Sequence, residues 1–392
     1  MRKILTAFPM ARTCPYDPPP ELTRLRSDDP ISRVTLADGS TPWLVTRHED
    51  VRAVLADRRF SADNDLPGYP QHRSAGGRPP RTFLRMDGAE HAHHRKALTS
   101  EFTVRRIESL RPLVTKTVDQ LLTSMAAGPR PTDLIGAYAL PLSSTVICQL
   151  LGVPFGDHQF FQDQSRAMLD THGAPEQVTK ARNELVGFLR ELVAAKVATP
   201  GDDLISRLLA KGRLSGPEVV LTSVLLLVAG YETTANMIGL GTLVLLRNPE
   251  QAAVVRDDPT AASSSVEELL RLLTITHLGH RRVALEDVEV GGVLIRAGEG
   301  VIAAADAANR DPAVYDAPDA LDVRRSPNHH VAFGFGVHQC LGQPLARLEL
   351  QVAYPALLRR FPDLRLAVDP DALTYRDTQQ IYGVDSLPVT WQ

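Results

Sequence analysis

Along most of the chain, hydrophobic side chains return every third or fourth position, the spacing of one face of a helix. Residues 31–36 and 43–46 alternate instead, as strands do, with Asp38-Gly39 marking the hairpin turn between them. Residues 48–57 read as a short helix. Residues 61–81 follow neither period and hold Pro67, Pro70, Pro79 and Pro80; loops this long inside a domain are usually functional or disordered. Helical spacing dominates residues 102–151, interrupted at Gly128-Pro129 and stopped at Gly152-Val153-Pro154. Residues 155–170 and 176–198 form two further helical segments around a His-Gly-Ala-Pro break at 172–175. Ser215-Gly216-Pro217-Glu218 has the spacing of a capping box with a proline in the first turn. It opens a helix running to about Arg247, roughly 45 Å long at about 1.5 Å per residue. Residues 288–304 are β-rich, residues 343–360 are helical, and final strands begin near Leu364. Proline-rich residues 1–30 are expected to wrap the surface.

One polar interruption changes the picture. Residues 225–230 of the long helix are apolar, and Glu232, Thr233 and Thr234 follow at once. Polar side chains midway along a buried helix cost free energy unless they are partnered or used.

Composition narrows the class without naming a chemistry. With 43% hydrophobic and 23% charged residues, the chain is an ordinary globular one, and 392 residues allow several domains or one large fold. A net charge of −3 gives no global attraction for nucleic acid or anionic membranes. Cys14, Cys148 and Cys340 are too few and too scattered for a disulfide framework, which points to the cytoplasm. Residues 1–12 lack the apolar core of a signal peptide, and no uninterrupted apolar run reaches membrane-spanning length. A soluble protein is expected.

Residues 333–342 read Phe-Gly-Phe-Gly-Val-His-Gln-Cys-Leu-Gly, just before a helix. A thiolate at a helix start gains from the dipole and from free N–H groups, which lower its pKa. Gly334 and Gly336 carry no Cβ, so the backbone can lie flat against a large planar partner. The plain alternatives are a buried cysteine in a glycine-rich turn, and zinc held among His329, His330, His338 and Cys340. Against zinc stands the lack of a second nearby cysteine.

The stretch matches Phe-Gly-x-Gly-x-His-x-Cys-x-Gly at every specified position, and the protein resembles a cytochrome P450. The resemblance implies haem b, with Cys340 as the proximal thiolate ligand and Phe333, Gly334, His338 and Gly342 around it. Other motifs occur in family order. His91 and Arg95, four apart on one helix face, are able to satisfy a haem propionate, and the resemblance adds Arg282 and His338. Taken alone, histidines beside Arg95 and Lys96 more often form a solvated basic face, and His93 and His94 are read that way. Ala229-Gly230-Tyr231-Glu232-Thr233-Thr234 matches the family's oxygen-binding helix. Ala229 and Gly230 leave a groove, Thr233 donates a hydrogen bond, and Glu232 relays the protons that O–O cleavage consumes. A helix-bonded threonine and a surface glutamate are the alternatives there, and Thr234 is the lesser candidate. Glu268 and Arg271, an ordinary surface ion pair in isolation, would join Arg325 as a structural anchor behind the haem. The neighbouring Arg324 leaves that register open.

By the same resemblance the fold is mainly α-helical with smaller β sheets, a single domain over residues 1–392. Residues 61–81 and 155–198 would cover the pocket, and residues 274–279 and 380–383 would border it. The implied reaction inserts one atom of dioxygen into a hydrophobic small molecule, by hydroxylation or epoxidation. A polyketide, macrolide, terpenoid or small peptide is the expected substrate class. No flavin or iron–sulfur motif is present, so electrons would come from NAD(P)H through a ferredoxin reductase and a ferredoxin. The carrier would dock on a basic patch including Lys96 and Arg347. A monomer is expected, without nucleic-acid or membrane partners. The rivals are a peroxide-driven peroxygenase, against which Glu232 and Thr233 count, and a non-catalytic haem sensor.

Overall fold

Long apolar stripes make helices the bulk of the structure, a computed structural model that describes residues 7–71, 81–169, 174–377 and 379–392. The helices are α1 (Pro20–Asp28), α2 (His48–Ala56), α3 (Gly88–Thr99), α4 (Val104–Glu108), α5 (Arg111–Ala127), α6 (Leu140–Leu151) and α7 (His158–Leu169). They continue with α8 (Pro175–Ala198), α9 (Leu204–Lys211), α10 (Gly216–Arg247), α11 (Pro249–Asp257), α12 (Ala262–Leu273), α13 (Ala305–Ala308) and α14 (Gln343–Arg360). The strands are β1 (Ile31–Arg33), β2 (Trp43–Val45), β3 (Phe60–Ser61), β4 (Thr132–Asp133) and β5 (His280–Ala284). After them come β6 (Val288–Val290), β7 (Val293–Ile295), β8 (Gly300–Ala303), β9 (Arg365–Leu366) and β10 (Pro388–Thr390). The expected mainly helical fold with small sheets is what the chain adopts.

The capping box forms as its spacing predicts: the Ser215 hydroxyl accepts from the Glu218 N–H, and the Glu218 carboxylate accepts from the Ser215 N–H. Helix α10 then crosses the core, packed on α6, α8 and α14. Among the described residues it is the one helix long and apolar enough to span a membrane, yet half of its apolar window is buried inside the protein. The hydroxyl of Tyr354 on α14 donates to the Met237 carbonyl at 2.5 Å, pinning the two helices together. A Cβ at Gly241 would stand 2.1 Å from that hydroxyl, so only glycine allows the contact.

The largest sheet runs β1-β2-β8-β5-β3, antiparallel except for β2 beside β8. Its β1–β2 hairpin turns at Gly39, whose φ of 83° suits glycine. Strands β4-β10-β9 form a second sheet, and β6-β7 a third. Strand β4 and helix α9 were not foreseen. The two residues of β4 are too few to show alternation, and they pair with β10 from the far end of the sequence.

Residues 1–30 do more than wrap the surface. Helix α1 lies within the described part of this segment and buries Leu22 and Leu25 against Leu44 and Ile302, while Arg26 donates to the Ala307 carbonyl at 2.8 Å. The prolines obscured a helix whose proline sits harmlessly in the first turn. The expected cover over residues 61–81 lies partly outside the described residues.

The structural anchor is resolved in favour of Arg325. Glu268 and Arg271 are fully buried and meet at 2.7 Å, and Arg325 Nε reaches Glu268 at 3.1 Å. Arg324 pairs instead with Asp258 at 2.6 Å. Asn328 Nδ2 also donates to Glu268, so the anchor holds the chain just before the cysteine loop.

Candidate active site

The loop that carries Cys340 is closed by its own backbone. Cys340 N–H donates to the Phe333 carbonyl and Gly334 N–H to the Val331 carbonyl, each at 2.8 Å. Gly334 and Gly336 adopt φ of 71° and 74°. Close packing also requires them: a Cβ on Gly336 would lie 2.4 Å from the Leu55 carbonyl of α2, and one on Gly334 would touch the His280 ring at 3.5 Å. Gly342 sits at the N-cap of α14. The guanidinium of Arg347 covers the Phe333 ring at 4.6 Å while holding Glu267 with both arms, at 2.6 and 2.8 Å.

Cys340 is exposed, yet protein surrounds it closely enough that burial raises its thiol pKa. The N–H groups of Gly342 and Gln343, and the charges of Arg95 and Arg347, act to lower that pKa. The expected net lowering is therefore corrected: burial outweighs the helix start.

The middle of α10 shows the same mixture of burial and access. Leu227 and Thr234 are buried; Ala229 between them is exposed, and Gly230, Glu232 and Thr233 are half-buried. Accessible and buried positions thus lie side by side midway along the helix. Thr233 Oγ1 donates to the Ala229 carbonyl at 2.6 Å, so both lie on one face. Ile147 of α6 packs behind Gly230. Glu232 is bound by Arg376, Nη1 to Oε1 at 2.9 Å. Burial raises its pKa, and Arg376 opposes the rise without cancelling it.

A third group gathers from α3, β5 and the cysteine loop. His91 is buried, with its ring centroid 4.2 Å from that of His338. His338 Nε2 meets Asp87 Oδ1 at 3.1 Å. His91 Nε2, His338 Nδ1 and His280 Nε2 are buried without a hydrogen-bond partner. Arg282 is buried two residues along β5 from His280, on the same face of the strand. Burial, then the fields of His338 and Arg95, pulls His91 down to about 4. Burial, then Arg282 and Arg85, does the same to His280, also to about 4. Burial likewise lowers Arg95 and Arg282. For Asp87, burial raises the pKa but hydrogen bonds from His338 and Ser61 outweigh it, leaving it at about 2.

His91, Arg95, Arg282 and His338 thus come together as the sequence predicted, joined by His280 and Asp87, which it did not single out. His280 precedes an arginine pair in a short strand, and only alternation could have placed it beside Arg282. Arg376 lies far from α10 in sequence and left no signal. Two readings are corrected. His93 is exposed as expected, though its Nε2 meets the Arg213 carbonyl at 2.8 Å, whereas His94 is buried 3.5 Å from Glu218, so the pair ties α3 to the start of α10. The imidazoles considered for zinc go separate ways, His330 to Glu267 at 3.0 Å and His338 to Asp87. Residues 380–383 lie against α10: Tyr382 N–H donates to the Ile275 carbonyl, and Gly383 packs on Asn236, one turn beyond Thr233.

A family model described as "Cytochrome P450" matches residues 160–370, a span that includes α10, β5 and Cys340. Cytochrome P450-SU2 of Streptomyces griseolus is 53% identical over 96% of this chain and 94% of its own length. The chain belongs to the cytochrome P450 family. Pentalenic acid synthase of Streptomyces avermitilis is 49% identical to this P450, over 98% of the chain and 97% of the relative. Among solved structures, the mycinamicin VIII C21 methyl hydroxylase MycCI of Micromonospora griseorubida, bound to mycinamicin VIII, superposes with a TM-score of 0.91. It is 41% identical and covers 99% of this chain and 100% of its own. Cytochrome P450 monooxygenases depend on haem iron, and bacterial members take electrons from redox partners. The residues of this P450 fit haem. An exposed cysteine lies in the glycine-rich loop, and three buried imidazole nitrogens close to it lack a hydrogen-bond partner. Of the two side chains expected at the docking face, Lys96 is exposed, whereas Arg347 is already held by Glu267.

Proposed function

We propose that this P450 holds haem b through Cys340 and hydroxylates or epoxidises a hydrophobic natural product of the kind its relatives are named for, such as pentalenic acid or mycinamicin. When bound, the haem supplies dioxygen activation, with thiolate donation favouring O–O cleavage. The chain's own residues do the rest. The Gly342 and Gln343 N–H groups, with Arg95 and Arg347, offset the charge on sulfur. His91, Arg95, Arg282 and His338 hold the propionates, while Phe333, Gly334 and Gly342 shape the loop. Ala229 and Gly230 leave room beside the helix, Thr233 offers its hydroxyl, and Glu232 carries protons inward. Electrons reach the site from NAD(P)H by way of a ferredoxin reductase and a ferredoxin. The enzyme works as a single-domain monomer in the cytoplasm, where its three free cysteines stay reduced.

The observation that carries this reading is Cys340, exposed in its glycine-rich loop while its thiol feels the Gly342 and Gln343 N–H groups and the charges of Arg95 and Arg347. The test is the reduced, carbon monoxide-treated haem protein, which should show the red-shifted thiolate-type absorption. Its absence sinks the reading. Terpenoid acids and macrolides should then change the spin state on binding, and turn over with NAD(P)H and carriers. Equal turnover with hydrogen peroxide alone would favour the peroxygenase instead.

A further inference from the structure

Glu232 lies half-buried midway along α10, yet its closest charged partner comes from the far end of the sequence. Arg376 reaches it with Nη1 at 2.9 Å and grips Asp385 with Nε at 2.8 Å. Both sides of that grip are fixed by backbone. Arg376 N–H donates to the Gly383 carbonyl and Asp385 N–H to the Thr374 carbonyl, each at 3.0 Å, around a bridge between Tyr375 and Val384. Side-chain exposure climbs along the row, from 14% at Glu232 to 23% at Arg376 and 40% at Asp385. Three charges therefore lead from the helix to the surface.

Arginine does not give up its proton in a protein, so Arg376 is no carrier. It is a fixed cation 2.9 Å from a carboxyl whose pKa burial raises and the cation lowers. Asp385 keeps the guanidinium in place whether Glu232 is charged or neutral. Among the described residues, Arg376 is the charged group acting directly on Glu232. Tyr375 and Tyr382 stack in the same segment at 6.1 Å and stay neutral, because burial raises both. On the α6 side, α10 meets the apolar Ile147.

We propose that Arg376, anchored by Asp385, is a positioning residue that pins the Glu232 carboxylate and sets the proton affinity with which Glu232 serves the reaction. This rests on the proton-carrying role assigned to Glu232 above. Protons then enter through the C-terminal segment around Asp385.

The experiment uses the haem-loaded ferric protein. Infrared difference spectra over a pH titration, with Glu232→Gln subtracted, isolate the Glu232 carboxyl. Arg376→Gln should raise its proton affinity about tenfold or more, the size expected on losing one adjacent cation. Asp385→Asn should give a smaller shift the same way, and Arg376→Lys should restore most of it. In turnover with carriers, the pH limb of product formed per NAD(P)H should move up with the infrared midpoint while KM stays put. An unmoved midpoint in Arg376→Gln, or a moved midpoint with an unmoved pH limb, overturns the proposal. If Glu232→Gln itself leaves coupling and the solvent isotope effect intact, the underlying reading fails instead, and the infrared shift alone would persist.

Discussion

The His91 and His338 rings lie 4.2 Å apart, tilted by 37°, although they come from different elements, and each keeps one buried nitrogen unsatisfied. Two imidazoles so placed cannot both be charged at low cost.

The first prediction follows from this arrangement. His91 and His280 fall from 6.5 to about 4 on folding, so the folded protein binds their protons less readily than the unfolded chain. Their stability is intact above 6.5 and is lost as pH falls through about 4. Asp87, at about 2 against an ordinary 3.8, loses its contribution only below that window. Melting temperatures of the haem-free protein should drop steadily between pH 6.5 and 4, and the haem-loaded protein should drop less. Parallel curves would contradict this.

Thr233→Ala should keep haem and fold but spend electrons on peroxide. The hydroxyl now bonds to the Ala229 carbonyl and must leave it to serve the reaction. Product per NAD(P)H should fall about a hundredfold, the lower range for a positioned acid–base group. Peroxide measured beside product decides the matter, and unchanged coupling would remove Thr233 from the mechanism.

Glu268→Ala leaves Arg271 without its carboxylate at full burial, and strips one partner from Arg325. Breaking a buried pair from one side costs about 3–5 kcal/mol. Denaturant unfolding should show a loss of that order. A loss below about 1 kcal/mol would mean the pair behaves as an exposed one.

Gly336→Ala combines a left-handed backbone with a Cβ driven onto the Leu55 carbonyl. The conformation alone costs about 1–2 kcal/mol, and the loop must also shift. The variant should melt lower and release haem faster to an acceptor such as apomyoglobin. Release at the wild-type rate would show that the loop absorbs the change.

What could be foreseen here was what is local in sequence. The capping box at Ser215, the stop at Gly152 and the pairing of Glu268 with Arg271 each lie within four residues, where backbone geometry brings side chains together without help from the fold. The cysteine loop was legible because its residue types and spacing are unusual. Long-range partners were not. Nothing near Arg376 announces Glu232, since the two are joined only after strands and helices have packed. His93 is exposed as its charged surroundings suggest, but the burial of His94 had no local sign, because charge and spacing alone do not reveal that α10 begins beside it. Helix α1 hid behind prolines that sit where a helix tolerates them.

The links from His93 and His94 to the Arg213 carbonyl and Glu218 carry one more implication. They staple α3 to the beginning of α10, on which α8 also packs. The two helices therefore move as a single frame, and cutting the staple would loosen both at once.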